Sequence, residues 1–176
     1  MITLPQSPIW ILAPLAELDY FHSDGICLPR DMPPLEVWNA AMAFPRPVLR
    51  VAFTIRDSIS SLFGVKKIKG FSGAARDSVK PGDYLDFFLV EHVDDNSLVM
   101  TERDCHLDVM ICISSGAGHV TVTASVCVHN WFGHVYMLPV GVAHRWIVRR
   151  MLKRLSHRIA APGQAFAAVH YRASAA

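Results

Sequence analysis

The sequence predicts an α+β domain in which an antiparallel sheet curls around one long C-terminal helix. Two observations carry that prediction. Alternating, turn-punctuated strand patterns run from Asp83 to about Trp131. A basic amphipathic helix then runs from about Val140 to Ile159. The bulk numbers fit one domain: 176 residues, 52% hydrophobic and 18% charged, which is rich in apolar and poor in charged residues. Such a composition serves either a well-filled core or a cavity lined with apolar side chains.

Residues 1–18 are apolar and broken by prolines, and read as an N-terminal arm. Asp19–Pro29 reads as a first strand, with Ser23-Asp24-Gly25 as a turn signal inside it. Pro33 and Pro34 suit a helix start. Leu35–Phe44, with Leu35, Trp38, Ala41 and Met42 at helical spacing, predicts a short helix. Val48–Phe63 repeats that period and predicts a second, closed by Gly64. Lys66–Pro81 reads as a polar loop.

Strands follow at Tyr84–Val93, Ser97–Glu102, His106–Ser114 and Val120–Val128. Asp94-Asp95-Asn96, Arg103-Asp104-Cys105 and Ser115–Gly118 supply the turns between them. In the last strand Val120, Val122, Ala124, Val126 and Val128 share one face. Thr121, Thr123, Ser125, Cys127 and His129 share the other. That pattern predicts one buried face and one half-polar face. Val140, Ile147, Val148, Met151, Leu152, Leu155 and Ile159 form the helix stripe. Pro162-Gly163 ends the helix, and residues 161–176 read as a loosely packed tail.

Several classes are disfavoured. No basic leader opens the chain, and no apolar run reaches the roughly 20 residues of a membrane span. A cytoplasmic location is the expectation. Cys27, Cys105, Cys112 and Cys127 lack CxxC spacing and read as small core residues. Serines lack a GxSxG setting, and Gly116-Ala117-Gly118 precedes a strand rather than a helix, so it is a turn and not a phosphate loop. Charge is uneven: residues 1–108 hold 10 bases and 15 acids, whereas residues 109–176 hold 7 bases and no acid. A polyanion patch and a solvated helix face both fit that run, and the second fits better because no aromatics interleave with the bases on the exposed side. Trp10, Trp38, Trp131 and Trp146 read as core aromatics.

Asp104, His106 and Asp108 form a first cluster. On one uninterrupted strand they would share a face, and a carboxylate beside a histidine tunes the imidazole for acid–base work. A turn through Arg103–Cys105 would instead make them a polar hairpin tip. No metal site is expected, because no further His or Cys lies at tight spacing.

The segments SLVMTERDCHLDVMICIS and VTVTASVCVHNWFGHVYMLPVGVAHRWIVRRMLKRL resemble the C-terminal half of the bacterial domain-of-unknown-function family 2867. His106-Leu107-Asp108, Asn130-x-Phe132-Gly133-x-x-Tyr136 and His144-Arg145 carry most of the resemblance, which spans about Asp83–Arg158. It implies a helix-grip (START-like, polyketide-cyclase-like) fold with two short helices after the first strand. In such a fold Asn130, Tyr136, His144 and Arg145 can border a pocket under the helix, with Arg145 gripping a carboxylate or phosphate. The alternative is that His144 and Arg145 tie the helix to an acid such as Asp108 or Glu91. The resulting expectation is one domain over residues 1–176 that binds a small apolar or amphipathic molecule between sheet and helix. A cyclase- or dehydratase-type enzyme in the same cavity is the alternative, and an interaction module using the basic helix the third. No cofactor and no nucleic-acid partner are expected, and a homodimer is compatible with the sequence.

Overall fold

A computed structural model describes residues 1–4, 7–43 and 73–159, together with the backbone of the two-residue strand 168–169. The helix expected at Val48–Phe63 and the loop at Lys66–Pro81, except its end, lie outside the described residues, as does most of the tail.

Two short strands, β1 (Ile2–Thr3) and β2 (Trp10–Ile11), form a small antiparallel pair. A single 3-10 turn at Leu15–Glu17 leads into β3 (Tyr20–Cys27). Helix α1 spans Pro34–Met42. The main sheet adds β4 (Tyr84–Leu85), β5 (Phe88–Val93), β6 (Ser97–Arg103), β7 (Leu107–Gly116) and β8 (His119–Val128). Helix α2 spans Trp131–Ile159, and β9 is Ala168–Val169. The sheet is antiparallel, in the order β4-β5-β6-β7-β8-β3, with β9 added beyond β3. The α+β class and the long C-terminal helix are therefore as expected.

Turn chemistry explains the strand breaks. Asp94 Oδ1 accepts from the amides of Asn96 (2.8 Å) and Ser97 (2.6 Å), closing the β5–β6 turn. Ala117 and Gly118 both have positive φ (50° and 72°), the two-residue hairpin turn that matches strand twist. The expected strand Tyr84–Val93 is instead two strands, broken at Asp86-Phe87, where Asp86 takes φ 59°. Aspartate tolerates that left-handed conformation better than most residues. Conversely, Ser23-Asp24-Gly25 does not turn, because all eight residues of β3 pair with β8.

The helix begins nine residues earlier than expected. Asn130 caps it, its Oδ1 accepting from the Gly133 amide at 3.0 Å. Pro139 lies inside the helix and removes only the one donor that would have reached Val135. Gly133 permits a close approach: a Cβ there would sit 2.5 Å from the His106 carbonyl oxygen.

Both sheet faces are covered. On the α2 side, Val120, Val122 and Val126 pack with helix and α1 residues. The middle of the expected half-polar face is also buried, with Thr123 1% and Ser125 0% exposed, while Thr121 and Cys127 are half-buried and His129 is exposed. The N-terminal arm lies on it. The Leu12 amide donates to Ser125 Oγ (3.1 Å), and the hydroxyls of Ser97 and Ser114 donate to the Pro8 carbonyl (3.2 and 3.1 Å). The strand hydroxyls thus satisfy backbone groups that would otherwise be buried without partners. Of the four cysteines only Cys112 is buried, and Cys105 is exposed. Trp131 and Trp146 are exposed as well, at 68% and 47%, contrary to the core reading.

Candidate functional site

Pleating places Tyr20, His22 and Asp24 on the α2 face of β3, opposite Val126, Ala124 and Val122 of β8. Above them α2 presents Gly141, His144, Arg145 and Arg149. The Tyr20 hydroxyl donates to the Gly141 carbonyl at 3.1 Å and lies 3.4 Å from His144 Nδ1. Gly141 is required for this contact, since a Cβ there would meet the Tyr20 ring at 2.9 Å. The His22 and His144 rings meet edge to face at 5.7 Å. The Arg145 guanidinium lies 5.5 Å from the Tyr20 ring centroid, a cation–π distance. Arg149 Nε donates to Asp24 Oδ2 at 3.3 Å, and Asp24 is 6% exposed.

Burial governs the protonation of this group. It lowers His144 from its ordinary 6.5 to about 4, helped by the charges of His22 and Arg145. It also lowers His22, with Asp24 opposing the shift. Both imidazoles are therefore neutral at pH 7. Burial raises the Tyr20 phenol, which stays protonated. His22 Nδ1 is buried and has no hydrogen-bond partner among the described residues.

A second polar group sits at the start of α2. The turn Asp104-Cys105-His106 joins β6 to β7. His106 is 2% exposed, and its Nδ1 lies 3.4 Å from Asp104 Oδ2. Its ring packs against Phe132 and Tyr136, at centroid distances of 5.4 and 5.5 Å. Asn130 Nδ2 donates to the Cys105 carbonyl at 3.2 Å, so one side chain both caps α2 and holds the turn. One ligand atom from each of Asp104, Cys105 and His106 lies within 4.8 Å of the others. The Asp104 carboxylate raises the Cys105 thiol, which opposes the thiolate a metal would need.

The expected first cluster is therefore divided. Asp104 and His106 meet, whereas Asp108 lies in β7 and pairs with His129 at 3.1 Å. The second cluster is divided as well. Asn130 and Tyr136 flank the turn, and His144 and Arg145 lie two turns or more further along α2. The helix-binding acid is Asp24, reached through Arg149. Glu91 instead accepts from Thr101 (2.8 Å) and Arg103 (3.2 Å). Tyr20, His22, Asp24 and Arg149 escaped the sequence reading, although polar and aromatic residues at alternate positions facing a core were a visible signal.

The family model described as "Protein of unknown function (DUF2867)" matches residues 14–151, most of the chain. The chain belongs to this family. The DUF2867 match takes in β3, the sheet and most of α2, hence both polar groups. No curated protein and no solved structure matches the chain.

Proposed function

We propose that this DUF2867 chain binds a small amphipathic molecule between the sheet and the middle of α2. The observation that carries the reading is a divided core. Phe132 and Tyr136 of α2 belong to one apolar cluster, while Val148, Leu152 and Leu155 belong to another. Between them α2 offers Gly141 and His144 to the sheet. Beneath, Val109 and Ile111 of the central strand β7 face α2 yet stay only half-buried. A central strand of a filled two-layer core would have these positions sealed. The apolar part of a ligand fits against Val109, Ile111 and Ile147. Its polar group would meet the buried His22 nitrogen, which has no partner among the described residues, with Tyr20, His144 and Arg145. A START-like relationship is consistent with this arrangement and belongs to the same proposal.

A cyclase- or dehydratase-type reaction in the same space is the second reading. Two neutral imidazoles beside a protonated tyrosine favour it, because neutral histidine is a competent general base. In that reading Asp104, His106 and Asp108 take no part.

Native mass spectrometry of the purified chain, before and after denaturing extraction, tests binding. A discrete adduct is expected on the folded chain, and its loss in Ile111→Phe, with the thermal midpoint of that variant retained or raised. No adduct, together with no saturable uptake of a fluorescent fatty-acid analogue by the wild type, overturns the reading.

A further inference from the structure

The outer face of α2 carries an exposed apolar stripe: Trp131, Val135, Leu138, Val142 and Trp146, exposed by 68%, 53%, 72%, 70% and 47%. At 3.6 residues per turn these five fall within an arc of about 80° and span about 22 Å. The buried residues Tyr136, Gly141, Val148 and Leu152 all fall outside that arc. Beyond Trp146 the exposed side of the helix turns basic, with Arg150 and Lys153, the Arg150 guanidinium lying 4.9 Å from the Trp146 ring centroid. Isolated apolar residues on a surface need no explanation, but five on one helix line do.

We infer that this face docks in the plane of an anionic phospholipid surface. Charge complementarity selects that occupant. Helix α2 carries six Arg or Lys and no acid, and no acid occurs anywhere after Asp108. Two copies meeting through this helix would find no carboxylate on either helix to pair its basic end. A lipid surface with anionic headgroups attracts the basic end, while the aliphatic stripe enters the boundary of the acyl region. Trp131 and Trp146 bracket the stripe, and indole rings settle at that boundary. The helix lies on the membrane rather than through it: no described helix is long and apolar enough to cross one. This inference stands independently of the ligand reading.

The test is co-sedimentation of the full chain with vesicles of phosphatidylcholine containing phosphatidylglycerol, against phosphatidylcholine alone, with tryptophan emission recorded. Binding to the anionic vesicles, a blue shift, and weakening by salt are expected. Leu138→Gln should lower partitioning on the order of tenfold. Arg150→Ala with Lys153→Ala should lower it by roughly fivefold for each base removed. All three side chains are exposed, so thermal midpoints should stay unchanged. No binding to anionic vesicles overturns the inference, as does equal binding by both variants. Concentration-dependent self-association that Leu138→Gln abolishes also overturns it, assigning the face to a second copy.

Discussion

Replacing His144 with phenylalanine should make the protein more tolerant of acid. In the folded chain burial holds the imidazole near pKa 4, whereas the unfolded chain returns it to 6.5. The unfolded state therefore binds more protons as pH falls from 6.5 towards 4, and folding stability is lost across that window. Above 6.5 both states are neutral and the term vanishes. Integrated from about pH 7 to about pH 4.5, a shift of this size corresponds to roughly 2 kcal/mol. The charged or titratable groups beside His144 are Tyr20, His22 and Arg145. Burial lowers His22 in the same direction, so that imidazole adds to the acid sensitivity of both proteins. Urea unfolding of wild type and His144→Phe at both pH values gives the answer as a difference of differences. The variant should lose roughly 2 kcal/mol less than wild type on acidification. At pH 7 it should lose only the Tyr20 contact, since the Tyr20 hydroxyl still has the Gly141 carbonyl. Equal acid losses in the two proteins would refute the argument, because His144 would then titrate alike in folded and unfolded chains.

Gly133→Ala should destabilise the fold by about 1–3 kcal/mol, although alanine favours helix, because the added methyl meets backbone. The thermal midpoint reports it, and a gain in stability would mean that α2 does not sit tightly on the 104–106 turn. Ser125→Ala should leave the half-buried Leu12 amide without its acceptor, at a cost of about 1–2 kcal/mol, and loosen the arm. Limited proteolysis should then cut near residues 7–18 sooner than in wild type, and unchanged cutting would detach the arm's anchoring from this bond.

Much of the sheet was legible because its turns are written in side chains that act locally. Asp94 bonds its own turn, and Ala117-Gly118 can take positive φ without help from the rest of the chain. The start of α2 was not legible in the same way. Gly133, Pro139 and Gly141 each weaken a helix locally, and what outweighs them is tertiary: Gly133 against the His106 carbonyl, Gly141 against Tyr20. The alternation Thr121, Thr123, Ser125 reads as a half-polar face, and the sequence does not show that the arm covers its middle. A hydroxyl suits solvent and suits an overlying backbone equally, and only the placement of the arm decides. The candidate residues were located by their chemical type rather than their neighbours. His144 and Arg145 lie beside Tyr20 and His22 of β3, while Asp104 and His106 serve as the seat of the α2 N-terminus.

The polar group under the middle of α2 makes poor sense as a device for stability alone. The ion pair between buried Asp24 and largely exposed Arg149 is weak evidence of stabilisation, because solvent screens the arginine while the carboxylate loses its hydration. His22 leaves a buried ring nitrogen without a partner among the described residues, which costs free energy that an apolar residue would not. Leucine at positions 22 and 144 would join the two apolar clusters into one. A chain that keeps histidines there departs from what packing favours, and such departures concentrate at sites that do something other than fold. The half-buried Val109 and Ile111 lie at the same level of the sheet. A structural brace accounts for Arg149 and Asp24, but it does not account for two neutral imidazoles beside apolar side chains left partly open. The ligand site proposed above would account for both.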